Sequence, residues 1–134
     1  MTWQTTHVRY RYDLLAPDGS EIRELVRVDG ASMVHCTLRP GRVSQAVRHR
    51  TVEEVWFCVA GGGELWRRSG NTEEVVQLSA DSAVTIPLGT DFQFRANGDR
   101  ALELIITTMP PWPGADEAIV VAGPWPPTAS PSTR

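Results

Sequence analysis

Turn signals recur along this chain at intervals too short to leave room for helices. Ala16-Pro17-Asp18-Gly19, Asp29-Gly30, Pro40-Gly41, Gly61-Gly62-Gly63, Ser69-Gly70-Asn71 and Asn97-Gly98-Asp99 all combine residues that accept tight-turn geometry. The segments between them are rich in β-branched and aromatic residues, and none carries the apolar period of a helix. Strands are expected at 8–15, 21–28, 32–38, 43–49, 54–60, 64–68, 75–78, 83–86, 92–95 and 102–107. Many short strands at regular spacing predict an all-β sandwich or barrel.

At 134 residues the chain fits one such domain with a single core. From Pro110 onward its character changes: seven of the 10 prolines fall there, with Trp112 and Trp125. The expected organisation is a barrel over 1–109 and a Pro/Trp-rich strap and tail over 110–134. The strap, to Trp125, would be anchored on the barrel by its tryptophans, and 126–134 would be disordered.

Composition narrows the partners. The net charge is −3, and all 13 basic residues are arginine, which excludes a Schiff-base lysine and gives no basic patch for nucleic acid. No apolar run approaches the ~20 residues a membrane helix needs, and the N-terminus lacks the basic-then-apolar order of a signal peptide, so neither a membrane nor secretion is expected. A cytoplasmic protein is the expectation. Cys36 and Cys58 read as buried, inert thiols, since neither belongs to a Cys-x-x-Cys or zinc-finger spacing.

Function is concentrated in two stretches, 41–61 and 81–96. The first places His49 five residues before Glu54 within an apolar, strand-forming run. An unpaired buried charge costs several kcal/mol, so these groups need each other, a ligand or a metal. Strand parity puts Gln45 and Val47 on the face of His49, and Trp56 and Cys58 on the face of Glu54. Phe92 and Phe94 alternate on the second stretch and close an aromatic, apolar pocket suited to a small apolar or ring-bearing molecule more than to a sugar phosphate. The arginines Arg48, Arg50, Arg67 and Arg95 fall on turns or on the opposite face.

These two stretches resemble the cupins, a family of small jelly-roll barrels. Their first motif runs from a glycine through His-x-His and a glutamate to a second glycine. Here Gly41 leads to Val47-Arg48-His49, then to Glu54 and Gly61. The second motif, Pro-x-Gly-x-x-His, corresponds to Pro87-Leu88-Gly89-Thr90-Asp91-Phe92. The resemblance implies a cupin-type jelly-roll barrel and a homodimer. It also implies a metal held at the positions of Val47, His49, Glu54 and Phe92, of which only His49 and Glu54 can ligate. No cofactor is therefore the favoured expectation. A divalent ion (zinc, iron, manganese or nickel) would need help from His35, Gln45 or a cysteine. If Val34, Cys36 and Leu38 face the core, His35 points away from it.

Three function classes follow. The favoured one is a metal-independent isomerase, epimerase or cyclase-like enzyme with His49 as base or acid and Glu54 as its orienting partner, Gln45, Val47, Trp56, Cys58, Phe92 and Phe94 shaping the pocket. The alternatives are a non-catalytic small-ligand-binding cupin, and a metal-dependent oxygenase or isomerase with an atypical ligand set. One feature bears on assembly. Val55-Trp56-Phe57-Cys58-Val59 is apolar on both faces, so the N-terminal strands, the strap or a second subunit should cover its outer side.

Overall fold

The computed structural model describes residues 2–128. Its strands are β1 (Leu14–Leu15), β2 (Glu21–Val28), β3 (Ala31–Leu38), β4 (Val47–His49), β5 (Glu53–Ala60), β6 (Gly62–Ser69), β7 (Thr72–Ser79), β8 (Ala83–Ile86), β9 (Asp91–Ala96), β10 (Leu102–Met109) and β11 (Ala118–Val120). A single 3-10 turn at Ala115–Glu117 precedes β11. The strands form two antiparallel sheets, β1-β2-β3-β10-β5-β8 and β11-β4-β9-β6-β7, in the manner of a jelly roll. The fold is all-β, as the turn spacing predicts.

Burial follows the period of two. Along β5, Glu54, Trp56 and Cys58 are buried while Glu53, Val55, Phe57 and Val59 are exposed. Leu102, Leu104, Ile106 and Thr108 of β10 point the same way. The core lies between the sheets, where Ile22, Val34, Cys36, Leu38, Trp56, Leu65, Phe92, Phe94 and Leu104 pack together. Consecutive strands change sheets at Gly61, where β5 of one sheet gives way to β6 of the other.

Several boundaries depart from the sequence reading. The strand expected at 8–15 shrinks to Leu14–Leu15, because residues before it are held by side chains and not by a ladder. Arg23 donates to the carbonyls of Arg9 and Tyr10, and Arg27 N–H donates to Gln4 Oε1. The strand expected at 43–49 keeps only Val47–His49. Ahead of it Val43 keeps a single bridge to Arg95 and Ser44 N–H still donates to the Phe94 carbonyl, but the Ser44 hydroxyl accepts from Phe94 N–H and Gln45 N–H donates to the Asp18 carbonyl, which breaks the ladder before Val47. Gly62 and Gly63 open β6 instead of ending the hairpin.

The C-terminal segment contains a strand that its prolines conceal. Ala118–Val120 pairs with Val47–His49, its β-branched residues suiting a sheet edge. Farther on, Gln93 donates to the Trp125 carbonyl, Arg95 lies 4.1 Å over the Trp125 ring, and Thr128 N–H donates to the Val43 carbonyl. Disorder expected from residue 126 is thus corrected for 126–128; the rest of that expectation, 129–134, lies outside the described residues.

Candidate active site

His49 and Glu54 reach the interior because a tight turn between β4 and β5 is fixed by a residue from the C-terminal segment. Glu117 is buried, and its carboxylate accepts from Thr51 N–H (2.6 Å), Thr51 Oγ1 (2.6 Å) and Val52 N–H (3.1 Å). Burial works to raise the Glu117 carboxyl. The Thr51 and Val52 hydrogen bonds outweigh it and hold the group below its ordinary range, helped by His49. Asp116 O and Glu117 O also accept from Arg50.

Beyond the turn the chain opens a cleft of about 330 Å³ including its mouth, within which about 20 Å³ is wide enough for a water. Its wall takes Val47 and His49 from β4, Glu54 and Trp56 from β5, Phe92 from β9, Ile106 from β10 and Ala118 from β11. The turn before β2 adds Ala16, Pro17 and Asp18, and the C-terminal segment adds Trp112. Aromatic rings meet edge-to-face around it: His49 lies 5.2 Å from both Phe92 and Trp112, and Trp56 lies 5.4 Å from Phe92. Among the described residues no arginine lines the cleft. Arg48 and Arg68 are engaged with Asp91, and Arg95 with Glu64.

The three polar groups have different surroundings. Glu54 Oε1 accepts from Trp56 Nε1 at 3.0 Å and Oε2 from Thr108 Oγ1 at 2.6 Å, Thr108 being its register partner across β10. His49 is only 8% exposed, and its Nδ1 is buried without a hydrogen-bond partner. Among the described residues no hydrogen bond joins His49 to Glu54, which corrects the expected orienting couple: Glu54 is spent on Trp56 and Thr108. Asp18 Oδ1 accepts from Ser20 N–H (2.9 Å) and Ser20 Oγ (2.6 Å). Burial pushes the Asp18 carboxyl up despite those bonds, and Glu54 adds to the rise while His49 opposes it.

Of the residues singled out from sequence, the cleft wall takes His49, Glu54, Val47, Trp56 and Phe92. Gln45, Cys58 and Phe94 stand off it. Cys58 and Phe94 belong to the core between the sheets, and Gln45 sits where the expected strand is interrupted. His35 lies on the opposite face of β3 from the core residues Val34, Cys36 and Leu38, paired with Glu103 at 3.0 Å. It therefore cannot complete a ligand set at His49. Neither cysteine forms a disulfide, and burial pushes the Cys58 thiol up, away from reactive thiolate.

The donor set does not suit a resident divalent ion. Valine and phenylalanine occupy two of the four positions where cupins carry ligands, and both Glu54 oxygens already accept from Trp56 and Thr108. Among the described residues no three histidine, cysteine or acidic side chains are placed to hold a metal ion. No helix among them is long and apolar enough to cross a membrane.

Sequence reasoning missed Asp18, Glu117 and the place of Trp112 on the wall. Asp18 read as an ordinary turn residue, and nothing local signals that its turn folds against the cleft. Glu117 and Trp112 lie some sixty residues from the groups they touch, so only tertiary pairing reveals them.

Comparison with known proteins agrees with this architecture. A family model described as a cupin domain matches residues 34–108. Among solved structures, BH2720 from Bacillus halodurans is 23% identical, with a TM-score of 0.62 over 69% of this chain and 71% of that one. KdgF from Halomonas sp. is 17% identical, with a TM-score of 0.67 over 81% and 94%. A variant of Streptomyces PAC13 solved with uridine is 20% identical, with a TM-score of 0.68 over 90% and 92%. At these identities the likeness concerns the fold. No curated protein matches the chain.

Proposed function

The chain belongs to the cupin domain family, and from that premise we propose a metal-independent enzyme of small-molecule metabolism in which His49 transfers a proton at a ring-bearing substrate. One observation carries the reading: an imidazole nine-tenths buried on the cleft wall has an Nδ1 without a hydrogen-bond partner among the described residues, a place a ligand can fill. A buried, unpartnered imidazole beside acidic groups suits isomerisation, epimerisation, cyclisation or dehydration. In this role Glu54 acts by holding Trp56 and Thr108 in place. The edge-to-face rings of Trp56, Phe92 and Trp112 favour a planar ligand. PAC13 with uridine is an instance of the barrel meeting a ring-bearing molecule.

A second reading is favoured by the missing His49–Glu54 bond: without an orienting acceptor on Nδ1, the same cleft could serve binding alone. Turnover separates the two. Incubating the protein with a library of ring-bearing metabolites in D2O should show, by NMR, hydrogen exchange or a new product with at least one compound. That rate should survive chelator treatment and fall by about 100-fold or more in His49→Gln. Binding without turnover across the library would favour the binding module. Activity lost to chelator would count against the metal-free reading.

We further propose a homodimer formed through the outer face of β5. Val55, Phe57 and Val59 are 45%, 41% and 41% exposed, so among the described residues neither the N-terminal segment nor the C-terminal one covers them. A second subunit is the cover that remains of the three expected. The wild-type protein should sediment at twice the 14.8 kDa chain mass, and Phe57→Asp at the monomer mass. A wild-type monomer at micromolar concentration would refute the dimer.

A further inference from the structure

The charges around the cleft are unbalanced. Among the described residues two carboxyl side chains, Asp18 and Glu54, line it, and no arginine does. Glu54 is buried, and its partners Trp56 and Thr108 are neutral donors. Among the described residues the Asp18 carboxylate is bonded to Ser20, again a neutral donor. Buried carboxylates normally acquire a cationic partner, because solvation lost on burial must be replaced.

The one basic side chain in the wall is His49, and its packing argues against that duty. A proton on Nδ1 would be a buried donor without an acceptor, since Nδ1 has no partner. Among the described residues no hydrogen bond joins His49 to either carboxylate. Around these groups stand Trp56, Phe92 and Trp112, and aromatic faces attract cations through their quadrupole. The space of about 20 Å³ in the cleft that admits a water also has the size of one ammonium group, which leaves a ring to lie at the mouth.

We infer that the cleft selects a cationic ligand: a small ring-bearing amine whose ammonium group is held by the Asp18 carboxylate, with Glu54 behind it and the aromatic rings around it. The inference rests on the small-molecule site proposed above and narrows its substrate class. Phosphorylated and carboxylated molecules are disfavoured, since they would bring a third negative group to a wall with no arginine.

The test uses three probes of one shape and different charge: benzylammonium, benzyl alcohol and benzoate, titrated into the full chain by calorimetry and NMR at pH 7. Benzylammonium should bind at least tenfold more tightly than benzyl alcohol, and benzoate should not bind. Asp18→Asn, which keeps the Oδ1 acceptor for Ser20, should weaken benzylammonium at least tenfold and erase its advantage over the alcohol. Should that variant fail to fold, the wild-type affinity for benzylammonium supplies the check, falling as pH is lowered from neutral and Asp18 takes up its proton. His49 and Glu54 also face this carboxyl, so the same titration in His49→Gln removes the imidazole contribution and should keep the trend. Equal affinity for the three probes, benzoate binding, no benzylammonium binding, or an undiminished preference in a folded Asp18→Asn would each overturn the inference. The probes need no turnover, so an inactive protein that still prefers ammonium would sink the enzyme reading alone.

Discussion

Gly61→Ala should destabilise the domain by about 2–5 kcal/mol. Gly61 sits at the corner between β5 and β6 with φ of +77°, and a Cβ there would lie 2.0 Å from the Ala101 carbonyl oxygen. The left-handed backbone alone costs an alanine about 1–2 kcal/mol. The contact is with backbone, which no rotamer change relieves, so β10 would have to retreat from β5 where Glu103 and Ala60 are paired. That adds about 1–3 kcal/mol, as overpacking generally does. Together these take a large share of the roughly 5–15 kcal/mol that holds a domain folded. Two controls separate the contributions. Gly70→Ala, with φ of +60° and no atom within 4 Å, should cost only the backbone term. Gly63→Ala, whose Cβ would meet the Arg95 carbonyl oxygen at 2.0 Å without a positive φ, isolates the steric one. Urea unfolding of the three variants checks the order, and a Gly61→Ala loss no larger than that of Gly70→Ala would refute the corner argument.

The glycine that ends the first motif is thus a steric requirement of the sheet-to-sheet crossing, and requirements of that kind are legible in sequence. So were the inward positions of Glu54, Trp56 and Cys58, because a strand has one period and β5 is a regular strand. Parity failed at Gln45 for the complementary reason. It assumes an unbroken strand from 43 to 49, whereas the Ser44 hydroxyl and the Asp18 carbonyl take the place of ladder partners ahead of Val47. The site itself was half legible. His49 and Glu54 stood out as polar groups in an apolar run, yet nothing local to them shows that Glu54 is bound by Trp56 and Thr108, or that Asp18 and Trp112 join the wall. Contacts made between distant segments leave no periodic trace. A turn sequence such as Ala-Pro-Asp-Gly states its own geometry and not what it packs against.

Glu117 is the strongest case of such a distant contact, and its removal is the second large effect expected. Its carboxylate satisfies the N–H groups of Thr51 and Val52 and the Thr51 hydroxyl at the turn between β4 and β5. Hydrogen bonds to a charged group contribute about 1.5–3 kcal/mol each, and a buried donor left without an acceptor costs about 1–3 kcal/mol. Glu117→Ala should therefore destabilise the protein by about 3–4 kcal/mol. Glu117→Gln, which keeps one accepting oxygen and turns the other into a donor facing donors, should cost about 2–3 kcal/mol. The pH dependence distinguishes this from simple loss of packing. The folded-state pKa of Glu117 lies below its ordinary value, so its charge stabilises the fold above the unfolded carboxyl range, and that contribution is lost as pH falls through the folded value. Wild type and Glu117→Gln should thus differ at pH 7 and draw together as pH falls below the ordinary carboxyl range and the folded wild type takes up its proton. Chemical denaturation across an acid pH series measures it, and a constant difference would mean that the charge of Glu117 contributes nothing. Because the same turn sets His49 beside Glu54, ring NMR signals of His49 and Trp112 should shift in Glu117→Gln even where the protein remains folded. A carboxylate outside both motifs would then govern the placement of the histidine that the first motif supplies.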